Sequence, residues 1–352
     1  MTREQWDKLE AVVNRTNTEM PVGLIVDSPW MPGYCGVNNI DFYARPEVWF
    51  DSYCKIKSDF PEVIYLPDWW CEYGMATESS GFGCKIDFYE DNLPAVHHIL
   101  NGIDDIAAIS ALQVPNPRKN GLMPLLLNLQ RYMQPRIQER GEDIYIVSTR
   151  GPLTIASHLM ELTELLIGVK EEGETVHKIL KCTTALCKNW LEAQLENVKN
   201  AKGILVLDDV TGFLNDEDYK EFAHPYLKDI FDTFGGTMHL FHNDTDNDVC
   251  VPYLEDMGVD IFNFTHKKDI GEIRKKAGNK VVLLGNVPPM SMAKESAETV
   301  YKQTQEVIAK YKAANNGDFR GLIASLGGGM PMGATYENTR ALIDAVSGER
   351  HE

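Results

Sequence analysis

Eight short apolar runs, each followed within two residues by a polar residue, constrain the fold of this chain more than any other feature. The clearest run, Thr237 to Phe241, ends in His242, Asn243 and Asp244. This pattern is typical of a short buried strand that delivers polar side chains to its carboxyl end. The other seven runs are Val22–Val26, Val63–Leu66, Ile144–Val147, Ile204–Leu207, Ile261–Phe262, Val281–Leu284 and Leu322–Ala324.

Helical segments separate these runs, with apolar residues recurring every three or four positions. They are Thr2–Arg15, Pro46–Asp59, Gly121–Arg140, Thr154–Ile167, Glu174–Lys199, Asp216–Phe234, Val251–Met257, Ile270–Ala277, Ala293–Ala314 and Thr335–Val346. Strands that alternate with helices and end in polar residues predict an α/β fold of the (β/α)8 barrel type, whose active site lies at the carboxyl ends of the strands. A doubly wound open sheet is the alternative, but no G-x-G-x-x-G turn follows the first strand.

The spacing of the runs predicts a single barrel domain over residues 1–352. The first helical segment then forms an extension ahead of the barrel. An insertion of about residues 68–143 follows the second strand and is longer than one helical crossover needs. Insertions of this length more often form a lid or a pocket wall than a linker.

The charge and the cysteines narrow the class of protein. A net charge of −18 argues against a nucleic-acid partner, because binding to phosphates relies on lysine and arginine. No signal-like segment opens the chain, and no apolar run approaches the roughly 18 residues of a membrane span. We therefore expect a cytoplasmic protein with no membrane partner. The seven cysteines are dispersed and form no Cys-x-x-Cys pair, which disfavours a disulfide framework or a zinc ribbon.

Polar and aromatic side chains at the predicted strand ends are the candidate site residues. Acid–base or other catalytic roles are expected for His242, Asp244, Asp208 and Asp68. Substrate contacts are expected from Asp27, Trp30, Tyr34, Trp69, Trp70, Asp209 and Asn286. Two alternatives stay open: the Trp69–Trp70 pair packs in the core or a lid, and one carboxylate of the Asp208–Asp209 pair caps the following turn.

Four stretches carry a family resemblance. They are Gly151–Ser157, Gly203–Tyr226, Gly285–Pro289 and Leu326–Leu342. In this order they resemble the uroporphyrinogen decarboxylase superfamily over nearly the whole chain. The resemblance implies a barrel with a deep site at the strand ends. It also implies one of two activities, tetrapyrrole decarboxylation or methyl transfer that serves corrinoid proteins, as in coenzyme M methyltransferases and O-demethylase systems.

The segment after the first strand separates these two branches. The decarboxylases carry arginines there that hold the carboxylates of their substrate, whereas this chain reads Val26-Asp-Ser-Pro-Trp-Met-Pro32. The decarboxylases also have a histidine in the final glycine-rich turn, where Gly328 stands in this chain. Asp68 does match an essential aspartate of the decarboxylases. Taken together, these departures favour the methyltransferase branch.

Zinc characterises one methyltransferase group, which carries His-x-Cys after the fifth strand and a cysteine in the final turn. The matching residues here are His242-Asn-Asp244 and Gly328. Because Zn²⁺ accepts nitrogen and oxygen ligands, His242 and Asp244 are candidate metal ligands, with Cys250 or Glu72 as a third. The alternative is that His242 and Asp244 only hydrogen-bond each other and the neighbouring loop.

The expected reaction moves a methyl group between a small methylated substrate and a corrinoid. No Asp-x-His-x-x-Gly corrinoid-binding stretch occurs, so we expect the corrinoid on a partner protein that docks over the strand ends. A methyl ether needs an acid or a metal to stabilise its leaving oxygen, whereas a quaternary amine leaves as a neutral group. The alternatives are transfer from methylcorrinoid to a thiol, uroporphyrinogen decarboxylation and non-catalytic tetrapyrrole binding. A homodimer is also compatible with the sequence.

Overall fold

The computed structural model describes residues 1–26 and 28–348, and within them ten strands and sixteen α-helices. The strands are β1 (Gly23–Leu24), β2 (Ile64–Tyr65), β3 (Ile86–Asp87), β4 (Ala95–Val96), β5 (Ile146–Arg150), β6 (Gly203–Leu207), β7 (Met238–Asn243), β8 (Ile261–Phe264), β9 (Val282–Val287) and β10 (Leu322–Leu326). The helices are α1 (Arg3–Val13), α2 (Met31–Cys35), α3 (Asn39–Ala44), α4 (Pro46–Asp59), α5 (Ala76–Gly81), α6 (Ile106–Ala111), α7 (Met123–Glu139), α8 (Pro152–Leu159), α9 (Leu162–Glu171), α10 (Gly173–Asn197), α11 (Asp216–Phe222), α12 (His224–Thr233), α13 (Ile270–Lys276), α14 (Ser291–Lys294), α15 (Ala297–Ala314) and α16 (Tyr336–Ser347). Two 3-10 helices span Asp209–Phe213 and Val251–Tyr253.

Eight parallel strands follow one another in chain order. Strands β5 to β10 form one six-stranded parallel sheet, and β1 pairs with β2 in parallel. A parallel bridge between Val22 and Ala324 attaches the β1 segment to β10. Among the described strands, β2 and β5 follow each other in the order of parallel strands, but no ladder of hydrogen bonds joins them. This succession of strands and helices confirms the predicted (β/α)8 barrel fold.

Four predicted helices differ in detail. The predicted helix Ala293–Ala314 begins later, as α15 at Ala297, because Glu295 and Ser296 adopt an extended backbone after α14. The predicted helix Thr154–Ile167 is two helices, α8 and α9, because Met160 and Glu161 adopt an extended backbone. The predicted helix Asp216–Phe234 breaks at Ala223 into α11 and α12. Pro225 lies in the first turn of α12, a position that suits a residue without a backbone N–H. The predicted helix Val251–Met257 is only a 3-10 turn over Val251–Tyr253.

Side chains on the barrel strands alternate between the barrel interior and the surrounding helices. On β7, Leu240 joins the inner apolar cluster, whereas Phe241 joins the outer cluster with α12. The same alternation continues on the neighbouring strands, so every second residue points inward. Near the carboxyl ends the inward positions become polar, and they are Arg150, His242, Asn263, Asn286 and Ser325.

A buried charge cluster joins the segment after β2 to the segment before β5. The Lys57 ammonium lies 2.5 Å from Asp68 Oδ2 and 2.7 Å from Glu142 Oε2. The indole of Trp69 donates to Glu142 Oε2 at 3.0 Å. Burial raises the pKa of Asp68, but the opposing effect of Lys57 and the Met1 amino group is larger and holds that pKa below its ordinary value. The cluster therefore carries ionised groups in the barrel wall.

The insertion between β2 and β5 contains helices α5, α6 and α7 and the antiparallel pair β3–β4. Its first segment is held to the barrel by Glu72, which accepts from the Arg150 guanidinium at 2.9 Å. No helix in residues 1–26 or 28–348 is long and apolar enough to cross a membrane.

Candidate active site

Three side chains converge at the carboxyl ends of β6 and β7. These strands are parallel neighbours, with Leu207 paired to His242, so Asp209 and Asp244 follow the two strand ends side by side. Nε2 of His242 lies 3.6 Å from Asp209 Oδ1 and 4.0 Å from Asp244 Oδ2. One ligand atom from each of the three residues lies within 4.8 Å of the others. We call Asp209, His242 and Asp244 the carboxylate–histidine cluster.

Asn263 on β8 determines which nitrogen of His242 carries the proton. Its amide nitrogen donates to the carbonyls of Leu284 and Leu326, at 2.7 and 3.0 Å. Its carbonyl oxygen therefore faces the imidazole and lies 2.8 Å from Nδ1. An oxygen can only accept, so Nδ1 must carry the hydrogen. Nε2 is then the ring atom that faces the two carboxylates.

Asp244 sits closely among charged neighbours. Its backbone N–H donates to Asp209 Oδ1 at 3.1 Å. Burial raises the pKa of Asp244, and Asp209 adds to this effect, while His242 and His266 oppose it. Behind the carboxylate, a side chain at Gly328 would place its first carbon 2.7 Å from Asp244 Oδ2. A glycine at this turn thus leaves room for the Asp244 carboxylate.

The donor set suits a divalent cation. Nε2 of His242 lies 3.6 and 4.0 Å from the carboxylates of Asp209 and Asp244, so one nitrogen and two carboxylate oxygens face one another. Without a proton or a cation these groups repel, whereas Zn²⁺ takes this combination of nitrogen and oxygen ligands. Of the residues predicted as a third ligand, Glu72 is paired with Arg150 and Cys250 is buried in the outer core. The structure brings Asp209 to this position instead.

The Asp208 carboxylate points away from the carboxylate–histidine cluster and toward α8. Its carboxylate accepts from the backbone N–H groups of Leu153 and Thr154, at 3.1 and 2.9 Å, and from the Thr154 hydroxyl at 2.8 Å. It thereby caps the first turn of α8, whose own cap residue, Gly151, has no side chain and no room for one beside Asp208. Burial raises the pKa of Asp208 to about 7. The alternative of one capping and one site-facing carboxylate fits Asp208 and Asp209, but the turn that Asp208 caps belongs to α8, ahead of β6, and is not the following turn.

Replacing Asp208 by alanine should destabilise the fold. Three donors would lose a buried acceptor, which costs about 1–3 kcal/mol in the free energy of unfolding. Urea unfolding of the variant measures this loss. Asp216→Ala, at an exposed position on α11, is the control and should change the free energy by less than about 1 kcal/mol. Equal stability of the two variants would contradict the capping role.

The predicted aromatic contacts lie mostly in packed surroundings. The indole of Trp30 donates to the Ala334 carbonyl at 3.0 Å and its ring lies against Tyr34, whose hydroxyl donates to Asp59 at 2.8 Å. Trp69 stacks on Phe50 within the core. Asp68 belongs to the charge cluster with Lys57. The structure brings none of these four predicted side chains into the carboxylate–histidine cluster, and Asp27 lies outside the described residues.

The last two predicted substrate contacts, Trp70 and Asn286, border the barrel mouth. The guanidinium of Arg150 lies 5.1 Å from the Trp70 ring centre while it binds Glu72. The Asn286 amide donates to the carbonyls of Thr265 and Lys268, at 3.1 and 2.8 Å, and so holds the segment after β8. Asn263 is the site residue that the sequence analysis missed. Its signal was available, because it ends an apolar run as His242 does.

Comparison with known proteins defines the family. The sequence profile described as uroporphyrinogen decarboxylase (URO-D) matches residues 69–348. The chain belongs to the URO-D family. Among curated relatives, the uroporphyrinogen decarboxylase of Shewanella piezotolerans is 26% identical over 265 residues, 71% of each chain. That of Wigglesworthia glossinidia brevipalpis is 24% identical over 299 residues, 82% of this chain and 75% of the relative.

A solved structure shows the same fold over the whole length. It is a methyltransferase from Methanosarcina mazei, with a TM-score of 0.80 over 98% of both chains. Its sequence identity to this URO-D family member is 17%. At that identity the similarity establishes the barrel fold, and the chemistry has to be argued from the side chains at the mouth.

Proposed function

We propose that this chain transfers a methyl group between a small methylated substrate and a corrinoid carried on a partner protein. In this proposal Asp209, His242 and Asp244 hold a divalent cation, with zinc as the first candidate. The observation that carries the proposal is the position of His242 Nε2, 3.6 and 4.0 Å from two carboxylates at the barrel mouth, while Nδ1 is held by Asn263. The name of the M. mazei structure, a methyltransferase, supports the same class of reaction.

The charge of the mouth argues against decarboxylation of uroporphyrinogen, although the curated relatives carry that name. A porphyrinogen with many carboxylates would meet Asp209 and Asp244. The nearby guanidinium of Arg150 is already paired with Glu72 at 2.9 Å. The segment from Ser28 to Gly36 contains no arginine that could hold a substrate carboxylate.

The cluster fits substrates whose leaving atom is oxygen. A reduced Co(I) corrinoid would supply the electron pair for the new bond to the methyl carbon, and the pair of the broken C–O bond would go to the oxygen. A bound divalent cation would act as a Lewis acid on that oxygen. Asp209 and Asp244 would balance the two positive charges of such a cation, and Asn263 holds Nδ1 of His242 so that Nε2 faces the cluster. None of the three ligands is a thiolate, and oxygen ligands suit oxygen substrates better than soft thiols.

A donor panel tests this proposal. Purified protein is mixed with Co(I) cobalamin and, in separate reactions, an aryl methyl ether, a quaternary methylamine or a methyl thioether. Formation of methylcobalamin is followed by absorbance, and the ether should react fastest. The Asp209→Asn/Asp244→Asn double variant should be inactive. Decarboxylation of uroporphyrinogen with no methyl transfer from any donor would overturn the proposal.

Exposed apolar side chains near the cluster support docking of a partner. Phe213, Met290 and Met332 lie on the segments that follow β6, β9 and β10. All three side chains follow strand ends on the face of the barrel that carries the cluster, and exposed apolar surface of this kind marks interaction sites. A corrinoid on a partner protein has to approach the cluster from this side.

Replacing Phe213 by serine should therefore raise the KM for a protein-borne corrinoid by about 5- to 30-fold, the effect of losing 1–2 kcal/mol of interface contact. The rate with free cobalamin should stay unchanged. Tyr132→Ser on α7 is the matched control, because Phe213 and Tyr132 are both 56% exposed and only Phe213 follows a barrel strand end. A similar change in KM for both variants, or for neither, would exclude this docking face.

A further inference from the structure

We infer that Asn243, between His242 and Asp244, is a positioning residue that sets the spacing of the two carboxylates in the cluster. This inference rests on the proposed cation site and adds a residue that touches neither cation nor substrate. Asn243 ends β7 and is buried. His242 points into the barrel, so the side chain of Asn243 points to the opposite side, toward the segment after β6.

The Asn243 amide joins the two segments that carry the carboxylates. Its nitrogen donates to Thr211 Oγ1 at 2.5 Å, on the 3-10 helix that begins with Asp209. Its oxygen accepts from the Thr245 N–H at 3.1 Å and from the Thr245 hydroxyl. The segments also touch directly, because a side chain at Gly212 would collide with Thr245. The hydrogen bond from the Asp244 N–H to Asp209 Oδ1 lies between these contacts.

The direction of the hydrogen bonds requires an amide at position 243. The Thr211 hydroxyl donates its hydrogen to the Asp208 carbonyl at 2.8 Å, so toward Asn243 it acts as an acceptor. On the other side, Thr245 is a donor. Asparagine supplies both a donor and an acceptor, whereas aspartate supplies only acceptors. Aspartate would also place a third negative charge beside Asp209 and Asp244.

Zinc affinity provides the first test, measured by competition with a chromophoric chelator. Asn243→Ala and Asn243→Asp should each weaken Zn²⁺ binding by about 10- to 100-fold, the usual cost of removing a residue that orients metal ligands. Thr211→Val should have a similar effect, and Thr211→Ser, which keeps the hydroxyl, should bind Zn²⁺ as the wild type does. Wild-type affinity in the Asn243 variants would overturn the inference.

Asn338→Ala is the matched control for loss of a buried amide. Asn338 lies on α16 and donates to the carbonyls of Met292 and Glu295, at 2.9 and 3.0 Å. This variant should lower the Tm while leaving Zn²⁺ affinity unchanged. An equal loss of affinity in Asn338→Ala would reduce Asn243 to a general structural role.

Amide hydrogen exchange provides a second test that needs no metal. The Asp244 N–H is bonded to Asp209 in the wild type and should exchange at least about 10-fold faster in Asn243→Ala if the two segments separate. The same N–H should be unaffected in Asn338→Ala. An unchanged exchange rate in Asn243→Ala would overturn the inference, whether or not the wild type binds Zn²⁺. Absence of Zn²⁺ binding by the wild type would instead contradict the proposed cation site.

Discussion

Replacing His242 by alanine should lower the rate of methyl transfer by at least about 100-fold. Loss of a residue that only hydrogen-bonds to a metal ligand costs about 10- to 100-fold, and loss of a ligand itself should cost more. The variant removes the ring nitrogen that faces Asp209 and Asp244. Two carboxylates alone would hold a cation weakly and would repel each other. The rate is measured as methylcobalamin formation with the best donor of the panel.

His239→Ala is a matched control for this variant. His239 lies on the same strand and, like His242, is 6% exposed, but its ring binds the carbonyls of Gly258 and Phe234 on the outer side of the barrel. The control should lose stability and keep the transfer rate per folded molecule. Equal rates in the His242 and His239 variants would show that the cluster takes no part in the reaction.

Replacing Lys57 by methionine should lower the free energy of unfolding by up to about 3–5 kcal/mol, because buried Asp68 and Glu142 would lose the ammonium that they share. The Met1 amino group and Arg140 would be their remaining cationic neighbours. Urea unfolding at neutral pH measures the loss. Lys55→Met, two residues away on α4, is the control, since the Lys55 side chain is 48% exposed in its pair with Asp59. Breaking that surface pair should cost less than about 1 kcal/mol.

The pH dependence of stability offers a further check on this charge cluster. Because the pKa of Asp68 is below its ordinary value of 3.8 in the folded protein, its contribution is present above that value. The contribution is lost as the pH falls through the lower, folded-state pKa. The wild type should therefore lose more stability than Lys57→Met on acidification below about pH 4. Parallel stability curves for the two proteins would contradict the ion pairing.

The fold was predictable because two periodicities recur along the chain. Apolar runs such as Val281–Leu284 and amphipathic segments such as Thr335–Val346 correspond to β9 and α16 with small shifts in their ends. Local breaks were harder to predict. The extended backbone at Met160 and Glu161, for example, has no glycine or proline to mark it.

The site was predictable in part, and strand alternation explains much of what was found. Leu207 belongs to the inner cluster, so the next residue, Asp208, points outward to α8, and Asp209 returns to the mouth. His242 lies two residues after Leu240 on β7, so it points to the same, inner side of the barrel. By contrast, the amide of Asn263 finds its acceptors on β9 and β10, far away in sequence. Only the assembled barrel reveals that contact and the tautomer of His242 that it imposes.

The packing of the aromatic residues depended on the insertion, whose course the sequence did not specify. Trp69 lies beside Phe50 and Glu142, which come from α4 and from the segment before β5. Trp70 lies under Arg150 of β5. Their neighbours are distant in the chain, so local pattern could not separate a substrate contact from core packing.

The metal content of the purified protein, measured by elemental analysis, tests the central claim most directly. The wild type should contain about one equivalent of a divalent metal, expected to be zinc. His242→Ala should lose it, and His239→Ala should retain it. A wild-type protein that neither contains nor takes up a stoichiometric divalent metal, or a His242→Ala variant with the same content as the wild type, would contradict the assignment of Asp209, His242 and Asp244 as a cation site.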